Sequence, residues 1–299
     1  MNWVLITGSS TGIGRAAVLR LLSKGFGVIA GVRREKDAEA LQKAAGSFVE
    51  GLRTLLLDVS EPSQIEAVPS KVREITGDEK LFALVNNAGV IRVGPTEALR
   101  FEDWQSQYNT NFFGPAALTA ALLPFLRNGR GRIINVGSIG GRTSVPFMSA
   151  YTSSKFAMRG WTDALRLELL PDRIEVVLVE PGAIATAIWG KGTGAGEELQ
   201  SGLNGGLRAR YGGSISALLA ASDRTAKRAI SPDVAAEVVE CALTAARPRT
   251  KYLVGTDAKI QAFLSWLLPD RVFDSILLAN LGLSGKSQNE RPRAITATM

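Results

Sequence analysis

The sequence predicts an α/β protein, a doubly wound parallel sheet of about seven strands flanked by helices. Short apolar runs recur along the chain, and each is continuous rather than alternating, which indicates strands buried on both faces. Segments long enough for helices separate these runs, as right-handed crossovers between parallel strands require. The predicted strands are Val4–Thr7, Val28–Val32, Thr54–Leu57, Leu81–Asn86, Arg132–Val136, Ile174–Val179 and Lys251–Val254.

Two regions depart from this alternation. Nine glycines fall within the 24 residues from Gly190 to Gly213, which predicts low helix stability beside apolar side chains that still need burial. Because this segment follows the sixth strand, we expect residues 187–230 to form a lid over the strand ends, with a plain surface excursion as the alternative. Residues 1–257 thus form the sheet domain, and residues 258–299 form a helical C-terminal extension with a polar tail from Ser284.

The extension contains too many large apolar side chains for all of them to remain exposed to water. They are Leu264, Trp266, Leu267, Leu268, Phe273, Ile276, Leu277 and Leu278. Residues 258–283 could pack over the cleft, form a subunit interface or lie on a membrane surface. We favour packing on the same chain or on a partner chain, while peripheral membrane contact stays open.

Composition excludes several chemistries. The 299 residues include no histidine and one cysteine, Cys241, so no Ser-His-Asp system, histidine-ligated metal, Cys-x-x-Cys site or internal disulfide is available, and we predict no metal site. The charge of +7 favours anionic ligands. The candidate basic patch has no nucleic-acid-reading module beside it, so we expect a solvated face and no nucleic acid; it consists of Arg208, Arg210, Arg224, Lys227 and Arg228.

The chain begins directly with a strand and a turn, which leaves no room for a signal peptide. No uninterrupted apolar stretch reaches the length of a spanning helix, which is about 18 residues or more. We therefore expect a cytoplasmic protein.

A glycine-rich turn joins the first strand to a helix. Glycines 8, 12 and 14 permit positive φ and close approach of the backbone to a pyrophosphate, while the helix N-terminus supplies positive potential. The predicted dinucleotide contacts are Gly8, Ser10, Thr11, Gly12, Ile13 and Gly14. A plain tight turn is the alternative.

The end of the second strand predicts which dinucleotide is bound. This strand ends in Arg33 and Arg34, where a carboxylate for the adenosine ribose would ordinarily stand. A guanidinium can hold a 2′-phosphate, so we predict NADP(H). Glu35 nearby means that NAD(H) is not excluded.

The third and fourth strands end in further cofactor candidates. Asp58, followed by Val59, can accept a hydrogen bond from the adenine amino group. Asn87 offers an amide that can bridge neighbouring strand ends, and Gly89, after Ala88, allows a tight turn beside the cofactor.

Tyr151 and Lys155 form the sharpest chemical pattern. They lie four residues apart on a predicted helix and share a face, while Ser138 ends the fifth strand. Lowering a tyrosine pKa by about three units requires roughly 4 kcal/mol. One cation about 4 Å away supplies about that much at an effective dielectric of about 20. The pair can therefore perform proton chemistry without histidine.

Together these motifs resemble the short-chain dehydrogenase/reductases. The shared features are Thr7-Gly8-x-x-x-Gly12-x-Gly14, Asn86-Asn87-Ala88-Gly89, Ser138, Tyr151-x-x-x-Lys155 and Pro181-Gly182, and the resemblance covers about residues 3–255. It implies a Rossmann-type domain in which Ser138 and Tyr151 hold the substrate oxygen. It also implies that Tyr151 exchanges the proton, while Lys155 binds the nicotinamide ribose and lowers the tyrosine pKa.

The resemblance adds a fourth catalytic residue, Asn111. Pro115 has no N–H, so the carbonyl of Asn111 loses its helical partner and could hold a water that extends a proton relay from Lys155. A kink that serves only packing is the alternative. The resemblance also implies a nicotinamide loop containing Pro181, Gly182, Ile184 and Thr186, and a substrate cleft with Phe147, Ile188 and Trp189 beside Ser138 and Tyr151.

The predicted reaction is reversible hydride transfer between a nicotinamide and a carbonyl or alcohol. Val4–Ser10, Gly31–Arg33 and the apolar C-terminal segment resemble the hydroxysteroid and retinol dehydrogenase branch, which implies a bulky apolar alcohol or ketone. The alternatives are a 3-oxoacyl thioester reductase and, in another class, a non-catalytic NADP-binding sensor or scaffold. The resemblance further implies a homo-oligomer, a dimer or tetramer, formed through the helices that carry Asn111 and Tyr151.

Overall fold

The computed structural model describes residues 1–77, 80–186 and 203–283. Seven parallel strands form one sheet in the order β3-β2-β1-β4-β5-β6-β7. The strands are β1 (Trp3–Ile6), β2 (Gly27–Val32), β3 (Leu52–Leu56), β4 (Ala83–Asn86), β5 (Arg132–Val136), β6 (Glu175–Pro181) and β7 (Lys251–Val254). All seven predicted strands are confirmed, with ends shifted by up to two residues.

Helices cover both faces of the sheet. They are α1 (Gly12–Ser23), α2 (Glu35–Ala45), α3 (Pro62–Thr76), α4 (Phe101–Tyr108), α5 (Gly114–Gly129), α6 (Ser149–Glu168), α7 (Gly205–Lys227), α8 (Pro232–Thr244), α9 (Thr256–Leu267) and α10 (Asp270–Leu281). A π-turn at Asn109–Phe113 joins α4 to α5, and short 3₁₀ segments lie at Gly46–Gly51 and Ile139–Gly141.

Alternate side chains of the buried strands enter two cores. On one face, Val4 and Ile6 of β1 pack with α1, α2 and α8. On the other face, Leu5 packs with apolar side chains of α3, α5 and α6. Burial on both faces explains why the strands read as continuous apolar runs. The order of the strands reverses between β1 and β4, and the crevice at their carboxyl ends is where such sheets bind ligands.

The expectation of low helix stability between Gly190 and Gly213 is wrong for its second half. Helix α7 includes four glycines of this segment, from Gly205 onward. Apolar positions along the helix bury Ile215 and Leu218, and Asn204 caps its start by accepting a hydrogen bond from the N–H of Leu207 at 3.0 Å. Packing and capping outweigh the glycine cost of about 1 kcal/mol per residue. The first part of the expected lid, residues 187–202, lies outside the described residues.

The C-terminal extension forms two helices, as its interruption at Pro269 indicates. Helix α9 begins at Thr256, two residues before the expected start of the extension. Its small residues Ala258 and Ala262 are buried against the domain, so part of the favoured packing is present. Across residues 1–77, 80–186 and 203–283, no helix combines the length and apolar character needed to cross a bilayer.

Candidate active site

The glycine turn brings backbone segments together at distances that exclude side chains. Gly8 and Gly12 have φ of +66° and +57°, which favours glycine. A Cβ added to Gly14 would lie 2.4 Å from both the Asn87 amide nitrogen and the Gly8 carbonyl oxygen. A Cβ on Gly12 would meet the Thr186 methyl at 2.9 Å, so this turn and the predicted nicotinamide loop are in contact.

The start of helix α1 suits an anion. Thr11 stands at its N-cap with an extended backbone, but its side chain makes no cap hydrogen bond to the helix. The first N–H groups of a helix have no partner within the helix, and the dipole makes that end positive. The closely approached backbone and the uncapped helix N-terminus therefore fit the pyrophosphate of a dinucleotide.

The end of β4 is tied to the turn after β1. The Asn87 amide donates to the carbonyls of Thr7 at 2.9 Å and Gly8 at 3.2 Å, so it bridges neighbouring strand ends as the sequence predicts. The Thr7 hydroxyl accepts hydrogen bonds from the N–H groups of Asn87 and Ala88, both at 3.0 Å. Sequence reasoning missed this role of Thr7, which fixes the backbone that the cofactor would pass.

The two arginines after β2 have different surroundings. Arg34 makes two hydrogen bonds to Asp37, at 2.8 and 2.9 Å, within the start of α2. Arg33 is more than half exposed, and its guanidinium stands 3.9 Å from Asp58 Oδ2. The other oxygen of Asp58 accepts from the N–H and hydroxyl of Ser60 at 3.0 and 2.6 Å. Of the two guanidinium groups, that of Arg33 is the less committed to a protein partner.

Ser138, Tyr151 and Lys155 converge between β5 and α6. Ser138 caps the short 3₁₀ segment by accepting from the N–H of Gly140 at 3.0 Å. A Cβ on Gly140 would lie 3.3 Å from the Ser138 hydroxyl oxygen and 3.2 Å from the Tyr151 ring, so both side chains lie beside this glycine. The buried Lys155 ammonium donates to the carbonyl of Val136 at 3.0 Å and lies 6.0 Å from the centre of the Tyr151 ring. The structure thus brings together three of the four predicted catalytic side chains.

Burial shifts the pKa values of both Tyr151 and Lys155. Desolvation raises the pKa of Tyr151 above its usual 10, and the hydrogen bond with Ser138 offsets part of that rise. Loss of hydration of the phenolate dominates in this structure, and the lowering of the tyrosine pKa by Lys155 stays a prediction. Burial also lowers the pKa of Lys155 to about 8, so the amine is still mostly a cation at neutral pH.

Asn111, the fourth predicted catalytic residue, is fully buried on the π-turn. The N–H of Gly114 donates to the carbonyl of Asn109, five residues back, so the regular helical ladder is broken directly before Pro115. The Asn111 side chain accepts from the N–H of Val90 at 2.9 Å and donates to its carbonyl at 3.1 Å. It therefore fixes the loop after β4, next to Lys155.

The predicted nicotinamide loop is held on two sides. Its Ala183 carbonyl accepts from the N–H of Ile230 at 3.0 Å, and its Ala185 N–H donates to the carbonyl of Ile230 at 2.9 Å. The Ala183 N–H donates to Asp257 Oδ2 at 2.7 Å, and a Cβ on Gly182 would lie 2.3 Å from the same oxygen. Helix α9, which carries Asp257, is thus part of the frame of the site.

A buried ion pair joins the loops that carry Ser138 and Pro181. Arg142 donates to both carboxylate oxygens of the fully buried Glu180, at 2.9 and 2.6 Å. Arg142 follows the 3₁₀ segment after Ser138, and Glu180 immediately precedes Pro181. Paired, bidentate geometry is what a buried carboxylate requires. The pair therefore fixes the serine relative to the nicotinamide loop.

Phe147 lies beside the catalytic helix in a constrained conformation. Its φ is +67°, its carbonyl accepts from the N–H of Gly94 at 2.7 Å, and its ring meets that of Tyr211 edge-on with centroids 5.8 Å apart. The Tyr211 hydroxyl donates to Glu97. Helix α7 therefore contacts the loops after β4 and β5 through Tyr211.

A cavity of about 860 Å³ lies next to Phe147. Its walls come from the loops after β4 and β5, the outer face of α6, and Tyr211. The lining residues are Pro95, Thr96, Glu97, Ser144, Val145, Pro146, Phe147, Ser149, Thr152, Ser153, Phe156 and Tyr211. Neither Ser138 nor Tyr151 lines the cavity, although Thr152 and Ser153, which follow Tyr151 on α6, do. The two other predicted substrate residues, Ile188 and Trp189, lie outside the described part of the chain.

Sequence reasoning missed several residues that hold the site in place. Gln107 donates to the Val90 carbonyl at 2.8 Å and accepts from the Arg92 N–H at 2.7 Å. For Glu180 a signal was available, because an acid inside an apolar strand requires a buried partner. For Gln107 and Asp257 the sequence offers no local signal, since their partners are backbone groups of distant loops.

A dinucleotide-type turn, a strand-end crevice and a Ser-Tyr-Lys group define an oxidoreductase site on a doubly wound sheet. The short chain dehydrogenase family description matches residues 2–194. The chain therefore belongs to the short-chain dehydrogenase/reductase family, and it is an oxidoreductase that acts on CH–OH and C=O groups.

Similar proteins align with most of the length of this chain. Retinol dehydrogenase 5 of Mus musculus is 36% identical over 286 residues, covering 92% of this chain and 87% of its own. An NADPH-dependent 3-dehydrocapnine reductase of Ornithobacterium rhinotracheale is 31% identical, covering 94% and 98%. The crystal structure of a short-chain dehydrogenase from Streptomyces avermitilis has a TM-score of 0.74 at 27% identity, covering 95% and 98%. The chain thus resembles the retinol dehydrogenase branch of its family.

Proposed function

We propose that the protein is an NADP(H)-dependent reductase or dehydrogenase of bulky apolar carbonyls and alcohols. The observation that carries the proposal is the convergence of the buried Lys155 ammonium, Tyr151 and Ser138 between β5 and α6. The Lys155 ammonium lies beside Gly89, at 3.9 Å from a Cβ built there, and Thr152 and Ser153 of the same helix line an apolar cavity.

Tyr151 is the general acid when the carbonyl is reduced. Its raised pKa keeps the phenol protonated at neutral pH, which is the form that can give a proton to the substrate oxygen. Ser138 holds that oxygen and stabilises the charge that develops on it. In the reverse direction, Tyr151 takes the alcohol proton.

Lys155 and Asn111 bind and move protons behind the tyrosine. The Lys155 ammonium donates to the Val136 carbonyl, and from this position it would orient the nicotinamide ribose and the Tyr151 hydroxyl. Pro115 has no N–H to pair with the Asn111 carbonyl four residues back, so this carbonyl would serve as a backbone acceptor for a water that connects Lys155 to solvent. With no histidine in the chain, the proton route depends on these groups.

The cofactor assignment rests on the two ends of the dinucleotide site. Bound NADPH supplies the hydride for carbonyl reduction. The α1 N-terminus would hold the pyrophosphate, and the exposed Arg33 guanidinium would hold the 2′-phosphate. One of the relatives is named as NADPH-dependent, which supports this choice. The remaining proposed contacts are Ser10, Ile13, Arg34, Asp58, Val59, Gly89, Ile184 and Thr186.

The apolar substrate class rests on the cavity and the relatives. Phe147, Phe156 and Val145 give the cavity apolar walls, which suit the non-reacting part of a steroid, retinoid or long-chain aldehyde. A retinol dehydrogenase is among the relatives, which favours the same class. A 3-oxoacyl thioester reductase is the second candidate within the family.

A panel of carbonyl substrates tests the proposal. Purified protein is assayed with NADPH and NADH against ketosteroids, all-trans-retinal, a long-chain aldehyde and acetoacetyl thioesters. We expect kcat/KM to be highest for an apolar carbonyl with NADPH. Preference for the thioesters would establish the second candidate. NADPH binding without turnover of any substrate would instead favour a sensor or scaffold.

We also propose that the protein is a homo-oligomer. Exposed apolar side chains lie on the elements that carry Asn111 and Tyr151, namely Phe113, Phe156 and Leu167. Exposed apolar side chains of this size suit pairing with a second copy of the chain. Light scattering after size exclusion should therefore give a mass of a dimer or a tetramer, and a monomeric mass would contradict this.

A further inference from the structure

Helix α9 is joined to the sheet by a single residue. Pro181 of β6 pairs with Val254 of β7, and the N–H of Gly182 donates to the carbonyl of Val254 at 2.9 Å. Gly255, with a φ of +98° that favours glycine, then turns the chain into α9, which begins at Thr256. The sheet therefore fixes the start of α9 directly beside the nicotinamide loop.

The first turn of α9 carries a carboxylate that packs against two glycines. Oδ2 of Asp257 accepts from the N–H of Ala183 at 2.7 Å, and a Cβ built on Gly182 or on Gly255 would overlap this carboxylate. The φ of Gly182 lies outside the left-handed region, so its backbone conformation does not explain the glycine. The carboxylate occupies the space that a side chain would need there, which does explain it.

One helical turn later, α9 contacts a second loop of the site. Gln261 follows Asp257 by four residues and therefore lies on the same face of the helix. Its amide donates to the hydroxyl of Thr143 at 2.6 Å. Thr143 is buried, and its N–H donates to the carbonyl of Ile139 at 3.2 Å, directly after Ser138. The helix thus contacts both the nicotinamide loop and the loop after Ser138.

Small residues hold α9 close to the domain between these two contacts. Ala258 and Ala262 are 0% and 8% exposed, and each directly follows one of the two polar residues. A helix that is close-packed along this face has little freedom to shift. Four residues span about 6 Å of helix, so Asp257 and Gln261 are held about one turn apart.

We infer that Asp257 and Gln261 are positioning residues for hydride transfer. Asp257 holds the loop that carries the nicotinamide, and Gln261 holds the loop that follows Ser138, which binds the substrate oxygen. Helix α9 thereby fixes the distance between the hydride donor and the carbonyl carbon that accepts the hydride. The inference rests on the proposed function, and it matters for the rate because a misplacement of about 1 Å can cost about 100-fold.

The buried ion pair does not make the contact at Asp257 redundant. Arg142 binds Glu180, which precedes the nicotinamide loop, whereas Asp257 binds Ala183, three residues further along. The carbonyl of Ala183 accepts from the N–H of Ile230, and its N–H donates to Asp257. Removal of the carboxylate therefore leaves this N–H without the acceptor that fixes the loop on the side of α9.

Steady-state kinetics of the full chain test the inference, with NADPH and the carbonyl that gives the highest kcat/KM. Asp257→Ala should lower kcat by about tenfold, while KM for the carbonyl changes little. NADPH affinity should fall less than kcat, because the glycine turn is unchanged. With NADPH deuterated at the transferred hydrogen, the isotope effect on kcat should rise, because hydride transfer becomes slower than the other steps.

The conservative variant separates the hydrogen bond from the charge. Asp257→Asn keeps an oxygen that can accept from the Ala183 N–H, so it should restore most of kcat and return the isotope effect towards the wild-type value.

A double-mutant cycle tests the contact at Gln261. Gln261→Ala and Thr143→Val each remove one side of the same hydrogen bond, so each should lower kcat by about threefold, and the double variant should lose no more than the larger single loss. Losses that multiply in the double variant would show that the two side chains act independently.

Asp270→Ala is the matched control for the loss of the carboxylate. Asp270 is exposed in the first turn of α10, so its removal takes a comparable charge from a helix N-terminus. This variant should keep the wild-type kcat and isotope effect. Urea denaturation checks the folding of every variant. A purely structural role of Asp257 would reduce stability and the active fraction, but it would leave the isotope effect unchanged, because that effect is a ratio of two rates of the same protein.

Two results at Asp257 would overturn the inference. One is an Asp257→Ala variant with the kcat and isotope effect of the wild type. The other is an Asp257→Asn variant as slow as Asp257→Ala, which would assign the effect to charge. Failure of the proposed function would look different, because the wild type itself would then turn over no carbonyl, and the inference would fall with it.

Discussion

At the glycine turn, Gly14 meets Asn87 and Gly8 at distances that admit no side chain. On the opposite wall, the ion pair of Arg142 and Glu180 and a hydrogen bond to Asp257 hold two loops in place. The first wall is built by steric closeness between short segments. The second is built by polar side chains from distant positions. Changes in the first wall should therefore weaken cofactor binding, whereas changes in the second wall should disturb the geometry of the catalytic loops.

The largest effect is expected at Tyr151, whose hydroxyl is the proposed proton donor. Tyr151→Phe removes the hydroxyl that donates the proton and keeps the ring, so kcat should fall by about 10³-fold. Because no cofactor-holding backbone changes, NADPH affinity should stay within about twofold. Steady-state kinetics and NADPH fluorescence titration measure the two quantities. A variant that keeps full turnover would disprove the role of the tyrosine.

Loss of the buried ion pair should mainly cost stability. Glu180→Gln leaves the Arg142 guanidinium without its buried counter-charge, which should lower the free energy of unfolding by about 3 kcal/mol. Urea denaturation measures this change, and kcat should fall as the loops that carry Ser138 and Pro181 loosen.

Two control variants test whether the loss of stability depends on the burial of the ion pair. The Arg142→Met/Glu180→Leu variant should regain part of the stability, because no unpaired charge remains. Asp163→Asn, which breaks the more exposed pair with Lys251, should cost about 1 kcal/mol or less. Equal losses of unfolding free energy for Glu180→Gln and Asp163→Asn would show that burial does not increase the contribution of the Arg142–Glu180 pair.

A single methyl group added at Gly14 should disturb the glycine turn. In Gly14→Ala, the new Cβ would overlap Asn87 and the Gly8 carbonyl, which should cost about 2 kcal/mol in stability. NADPH affinity should fall more than tenfold, because the turn must move away from the pyrophosphate.

Gly160→Ala is the matched control for this change. Gly160 lies inside α6, and a Cβ there would have no described neighbour within 4 Å. That variant should gain up to about 1 kcal/mol through helix propensity alone. If the two alanine variants were equally stable and bound NADPH equally well, the steric account of the turn would be wrong.

The same contrast explains what the sequence could predict. The strands, the glycine turn and the spacing of Tyr151 and Lys155 are local patterns, because each depends on residues within one or two elements. Asp257 acts on Ala183 across 74 positions and Arg142 on Glu180 across 38, so neither contact follows from spacing. Helix α7 was missed for a related reason, since its burial depends on tertiary packing rather than on its glycine content.

The smallest effect is expected at the edge of the dinucleotide site, where two adjacent arginines differ only in their partners. Arg33 is held loosely by Asp58, whereas Arg34 is bound through two hydrogen bonds to Asp37. Arg33→Ala should therefore reduce the NADPH-over-NADH preference in kcat/KM by about tenfold, or about 1.4 kcal/mol. Arg34→Ala should change that preference by less, because its guanidinium is already satisfied. Kinetics with both cofactors at two salt concentrations make the comparison, since a phosphate contact is weakened by salt. An unchanged preference in Arg33→Ala would remove the basis for assigning NADP(H), and a larger effect of Arg34→Ala would move the phosphate contact to the start of α2.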